Sequence, residues 1–243
     1  MSQNHTETLV NNVKGVCDSN PNPLFGRDSH VQQVASSRNP GSACKMKTNK
    51  TSKIAMWNVH TLHQIGKLEN VVKEMERIKL NNLGLAEVRW TGAGSMQLDS
   101  KTLIYSGGHI YERSLGILFD VTTAKSLGSW CRISDRVVVA KLVAKQLNLG
   151  IIQVYAQTSD SEDVAEEKFY EEIKNAKGYL KSQNIIIVMG DFNAKVGDGR
   201  VEDVVGPSGM GTVNERGSGL IEWCQINDFT ITNSWYENHP KGQ

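Results

Sequence analysis

The chain has 243 residues, enough for one large domain or two small ones with a real core. Its 39% hydrophobic and 22% charged residues, with a formal net charge of +1, are those of an ordinary globular chain. No run approaches the ~20 apolar residues of a membrane span, Met1 leads into polar sequence rather than a signal peptide, and the four cysteines form no Cys-x-x-Cys pair. A spanning protein, a secreted disulfide scaffold and a zinc cluster are therefore set aside, and an intracellular protein of nucleus or cytoplasm is expected.

Residues 1–53 hold seven Lys/Arg and three Asp/Glu, a net of +4, whereas 54–243 carry a net of −3. The first stretch also contains three of the five prolines and a single aromatic, Phe25. Such a segment buries little apolar surface, so 1–52 reads as a disordered, weakly basic tail and 53–243 as the folded domain. Lys45, Lys47, Lys50 and Lys53 could touch nucleic acid, but a solvated tail explains them as well.

From residue 53 the pattern alternates. KIAMWNV (53–59) reads as a strand, and the following segment puts Leu68, Val71, Val72, Met75 and Ile78 on one helical face. NLGLAEV (82–88) is a short strand. KTLIYSGG and SLGILFD are neighbouring strands, and 136–144 with 149–156 form a hairpin around Asn148-Leu149-Gly150. Ser159 and Glu162 make a capping box ahead of a helix that buries Phe169, Ile173, Ala176 and Leu180. The run Ile185-Ile186-Ile187-Val188 is a buried strand leading into Asp191-Phe192-Asn193, then a glycine-rich loop (197–211), a helix over 217–226 and a last strand, FTITNSW. Hairpins mixed with helix-connected strands give an α+β (mixed α/β) class.

Asn58, Glu87, Tyr155, Asp191 and Asn193 each fall at or just past the end of an apolar strand. Singly they are turn formers, caps or core. In an extended segment Asp191 and Asn193 would face one way and Phe192 the other, into the core. Strand ends gathered at one edge make a cleft, and these residue types suit phosphodiester hydrolysis. Glu87 is a hard oxygen ligand for magnesium, Asp191 can orient a water, and Asn58, Asn193 and Tyr155 can hydrogen-bond the nucleophile or phosphoryl oxygens.

WNVHTL, LAEVRW, VYAQTS and MGDFNAKVG resemble, in order and spacing, the motifs of the endonuclease/exonuclease/phosphatase superfamily. They are most similar to those of the apurinic-type endonuclease domain of LINE non-LTR retrotransposons, which NERGSGLIEWCQINDFTITNSW also resembles. The resemblance implies a four-layer α/β/β/α sandwich over about 54–243 and a DNA endonuclease activity dependent on Mg2+, with Mn2+ as a substitute. It implies that Glu87 and Asn58 form the metal site, that Tyr155 and Asn193 contact the scissile phosphate, and that Asp191 activates the water. Arg89 and Asn214 are further candidates for phosphate contact. DNA is the implied partner, bound weakly if at all, with no membrane and no small-molecule cofactor.

Three departures stand out. His60 replaces the usual Arg of the first motif, Gln157 replaces the proline after Tyr155-Ala156, and no Ser-Asp-His occurs in the chain. Ser134-Asp135-Arg136 and Ser159-Asp160-Ser161 lack the histidine, and Asp28-Ser29-His30 has another order. The family's Asp-His dyad comes from that motif, so a C-terminally truncated, inactive copy is expected. The alternatives are a non-catalytic binding or scaffold protein and, less favoured, a phosphoinositide or sphingomyelin phosphodiesterase.

Overall fold

The most apolar strand is explained by what lies on each side of it. Ile186 and Val188 pack with the residues of two helices, whereas Ile187 and Met189 pack against the opposing sheet. A strand buried on both faces reads as a continuous apolar run rather than an alternating one. The computed structural model describes residues 13–14, 31–36, 52–111, 114–143, 148–156, 163–180 and 185–236.

One sheet contains β1 (Val13–Lys14), β3 (Ser52–Asn58), β4 (Asn82–Ala86), β5 (Ala93–Leu98), β6 (Lys101–Gly107) and β7 (Ser114–Phe119), in the order β1-β3-β4-β7-β6-β5. The other contains β2 (Val31–Ser36), β8 (Leu127–Arg132), β9 (Val137–Leu142), β10 (Leu149–Tyr155), β11 (Ile185–Asp191) and β12 (Thr230–Ile231), in the order β12-β2-β11-β10-β9-β8. The helices are α1 (Lys67–Arg77), the single turn α2 (Val121–Ala124), α3 (Asp163–Tyr179) and α4 (Glu215–Asn227).

Three apolar clusters stack these elements into four layers. Val71 and Met75 of α1 pack on Ala55, Trp57, Leu83, Leu85 and Leu118 of the first sheet. Ile54, Ile104, Ile117 and Phe119 meet Val138, Ala140, Ile151 and Ile187 between the sheets. Phe169, Ile173 and Ala176 of α3, with Leu220 and Cys224 of α4, cover Ile152, Val154 and Val188 on the far side. The expected α/β/β/α sandwich is thus present, built on alternate faces of β3, β10 and β11. No helix among the described residues is long and apolar enough to cross a membrane.

Several expectations change. Leu149 and Gly150, expected in a turn with Asn148, instead belong to β10 and pair with Leu142 and Lys141. The expected last strand, FTITNSW, is only β12 before the chain coils into a 3-10 turn over Thr232–Ser234. There Ser234 Oγ donates to the Ile231 carbonyl and accepts from the Gly206 amide, so the local side chain takes backbone partners a longer ladder would need. The capping box at Ser159 and Glu162, and Gln157, lie outside the described residues.

Two strands fall inside the stretch that composition marks as structureless. β1 pairs parallel to the start of β3, and β2 lies antiparallel to β11 from Ser36 opposite Ile186 to Val31 opposite Asp191. Backbone pairing explains β2 better than apolar content does, because β11 would otherwise present an open row of N–H and C=O groups. Deleting residues 1–36 should therefore uncover that edge and promote self-association, read by size-exclusion chromatography and thermal melting. A monomer with an unchanged melting point would show that β2 contributes nothing to the sheet.

Candidate active site

Gly190 sets up the end of β11. A Cβ there would sit 2.0 Å from the Val154 carbonyl oxygen, so only glycine lets β10 and β11 pair tightly up to Tyr155 opposite Asp191. Beyond this point the chain turns. Asn193 has φ 50°, its amide donates to Asp191 Oδ1 (3.0 Å), and its Nδ2 donates to the Ala156 carbonyl (3.1 Å). Asp191 and Asn193 are thus joined by an Asx turn rather than by the extended i, i+2 geometry expected from the sequence. Phe192 does point into the core, 3% exposed and edge-on to Phe169.

On the first sheet, β3 and β4 run parallel with Asn58 opposite Ala86. Asn58 Nδ2 donates to Glu87 Oε1 (2.8 Å), and Asn58 Oδ1 accepts from the His60 amide (3.1 Å). Asn58 therefore both caps its turn and orients the acidic residue. The other Glu87 oxygen, Oε2, accepts from Arg89 Nη2 (3.2 Å) and lies 3.4 Å from His60 Nδ1. Burial alone would raise the Glu87 carboxyl. The hydrogen bond from Asn58, the His60 charge and the bonds from Arg89 and His60 outweigh it and hold the group below its ordinary 4.5.

Tyr155 joins the two halves. Its backbone is paired with Asp191 on the second sheet, while its hydroxyl donates to Glu87 Oε1 on the first (3.3 Å). Burial, then the Glu87 and Asp191 charges, push its pKa well above the usual value, so the phenol stays a neutral donor. The structure thus brings Asn58, Glu87, Tyr155, Asp191 and Asn193 to one edge of the sandwich, with Arg89 beside Glu87. Asn214 stands one step back. Its Oδ1 accepts from Gly217 N (2.8 Å) and Lys195 N (2.9 Å), capping α4 and tying down the loop that follows Asn193.

Backbone strain concentrates in the same place. Nine described non-glycine residues have positive φ, and His60 (48°), Thr61 (106°), Glu87 (54°), Arg89 (59°) and Asn193 (50°) are five of them. A β-branched residue such as Thr61 is rarely found there, and such strain persists where surrounding bonds over-determine the backbone. Here the Thr61 and Leu62 amides donate to the carbonyls of Glu87 (2.8 Å) and Val88 (3.0 Å).

Sequence reasoning missed Arg136. It is 6% exposed, its carbonyl accepts from the Tyr155 amide (3.0 Å), and its charge opposes the upward shift of Tyr155. The available signal was a guanidinium opening an apolar strand directly after Ser134-Asp135.

Among the described residues no group of three or more His, Cys, Asp and Glu could hold a metal ion by itself. One carboxylate, Glu87, stands here, and magnesium is commonly held by one or two carboxylates with waters and phosphate completing its shell. The depressed Glu87 pKa has a testable consequence. Ionised Glu87 stabilises the fold above about 4.5, and that contribution is lost as pH falls through its lowered folded value. The stability difference between the protein and Glu87→Gln, measured by urea unfolding, should shrink on acidification below that point. A difference that does not change with pH would remove the carboxylate from this network.

No family model matches the chain. It is 34% identical over 185 residues to craniofacial development protein 2 of Bos taurus, covering 76% of this chain and 31% of that protein. It is 31% identical over 185 residues to the Tragulus javanicus protein of the same name, covering 76% and 32%. The chain thus spans about a third of the length of these curated relatives. Among solved structures it is similar to the AP endonuclease LMAP of Leishmania major, with a TM-score of 0.50 and 14% identity over 71% of this chain and 65% of that one. A TM-score of 0.49 and 12% identity relate it to the endonuclease domain of TRAS1, a telomere-specific non-LTR retrotransposon, over 71% and 70%.

Proposed function

We infer, from a chain that has the AP endonuclease fold of the endonuclease/exonuclease/phosphatase superfamily, that its strand-end cluster is a magnesium-dependent phosphodiester site directed at DNA. The observation that carries this reading is the Tyr155 hydroxyl bonded to Glu87 while the Tyr155 backbone is paired with Asp191. Two carboxylates with different environments, one hydrogen-bonded by cations and one buried at a strand end, are thereby set around a neutral donor.

Glu87, oriented by Asn58, would hold Mg2+ (or Mn2+), which would supply positive charge against the phosphoryl oxygens. Asp191 orients the attacking water. The second Nδ2 proton of Asn193 would donate to the phosphate, the Tyr155 hydroxyl would do so by exchanging its bond to Glu87, and the Arg136 charge acts near Tyr155. Arg89 and Asn214 are assigned phosphate contact and loop positioning. The motif strings extend the reading to an endonuclease of retrotransposon type, acting in the nucleus or cytoplasm. The missing Ser-Asp-His favours a second reading, in which the 243 residues bind DNA without turning it over.

Binding of a short labelled DNA with and without magnesium tests the site directly. A magnesium enhancement lost in Glu87→Gln supports it. Magnesium-indifferent binding, or a preference for an inositol phosphate competitor, would overturn it.

A further inference from the structure

Beside the phosphate cluster the surface carries large side chains with nothing over them. Ile65 is 105% exposed, Tyr111 61% and Ile110 59%, and the exposed His63 ring meets Tyr111 edge-on with centroids 4.8 Å apart. Both loops are built into the site. The one carrying His63 and Ile65 leaves β3 at Asn58 and is held to Glu87 and Val88 by the Thr61 and Leu62 amides. The other, carrying Ile110 and Tyr111, leads towards β7, where the Ser114 carbonyl accepts from Val88 N (3.0 Å) and Ser114 Oγ accepts from Trp90 N (3.0 Å). A further pair, Gly92 N to Gly108 O (3.0 Å) and Gly107 N to Gly92 O (2.7 Å), ties that loop to the residues after Arg89.

Exposed aromatic and aliphatic groups grouped on one rim suit a flat, apolar partner with a charged backbone. Arg89, beside this rim, is turned to Glu87, whereas His63 and Tyr111 present ring surface. A nucleobase is such a partner, because every base has a π-face while its phosphate seeks the cation and metal end. In a duplex that face is covered by its neighbours, so stacking here needs an unpaired base.

We propose that Tyr111, with His63 and Ile65, stacks an unpaired base adjoining the phosphate bound at Glu87, giving the protein a preference for single-stranded or locally opened DNA. This rests on the phosphodiester reading of the cluster and adds the substrate form that the cluster alone does not specify.

The test is fluorescence anisotropy of a labelled single-stranded oligonucleotide and its perfect duplex, with the full chain in magnesium. Single-stranded DNA should bind several-fold more tightly than duplex. Tyr111→Ala should weaken single-strand binding roughly fivefold or more, the low end for one stacked base. Duplex binding and the melting temperature should not change, and Tyr111→Phe should behave as the unmodified protein. Equal single-strand affinity in Tyr111→Ala and the unmodified protein would overturn the proposal, as would equal affinity of the unmodified protein for the two DNA forms. Failure of the underlying reading shows separately, as loss of the magnesium dependence that Glu87→Gln removes. A rim effect that persists without magnesium dependence would support the rim and sink the cluster.

Discussion

Incubated with supercoiled plasmid and magnesium, the 243-residue protein is expected to nick no faster than its Asp191→Ala variant. The described cluster holds two carboxylates, Glu87 and Asp191, with neutral donors around them, but the chain contains no Ser-Asp-His. In the superfamily mechanism that motif supplies the pair that stabilises charge growing on the phosphate. Losing one preorganised donor of that kind typically costs about 10²–10³ in rate. His60 is a poor replacement because it already faces Glu87 Oε2 at 3.4 Å. Magnesium-dependent nicking that Asp191→Ala abolishes would contradict this expectation. It would point to Arg136, the buried cation beside Tyr155, as sufficient.

Glu87→Gln should weaken magnesium binding tenfold or more, about 1.4 kcal/mol. The substitution keeps a similar shape but removes the charge that a hard cation requires. It also replaces one of two accepting oxygens with a donor, so either the Oε1 bonds from Asn58 and Tyr155 or the Oε2 bond from Arg89 must be given up. Tyr155→Phe, which deletes a single hydroxyl bond, should cost less than Glu87→Gln. Titration calorimetry on the three proteins gives the order directly. Equal curves for the unmodified protein and Glu87→Gln would place any magnesium site elsewhere.

Much of this was legible in the residues for physical reasons. β11 announces itself because it is buried on both faces, and Asp191 announces itself because a carboxylate follows such a strand. β5 and β8 were missed. Both are edge strands, exposed over much of AGSMQL and partly exposed along LGSWCR, so neither face imposes an apolar alternation. β2 was missed because what recruits it is the open hydrogen-bonding edge of β11, which local composition does not encode. The positive φ of Asn193 goes with its bonds to Asp191 and to the distant Ala156, and Arg136 is buried where its carbonyl accepts from the Tyr155 amide, neither of which local sequence encodes. Sequence can identify the polar residues at strand ends. It cannot show that one tyrosine links the two sheets.

That link is the central claim, and amide chemical shifts followed during magnesium titration test it most directly. The amides of residues 58–61, 87–89, 155–156 and 191–193 should shift together along a single binding curve, and Glu87→Gln should abolish the response on both sheets. Shifts confined to the first sheet, or the same response in Glu87→Gln, would show that Asp191 and Glu87 do not belong to one site.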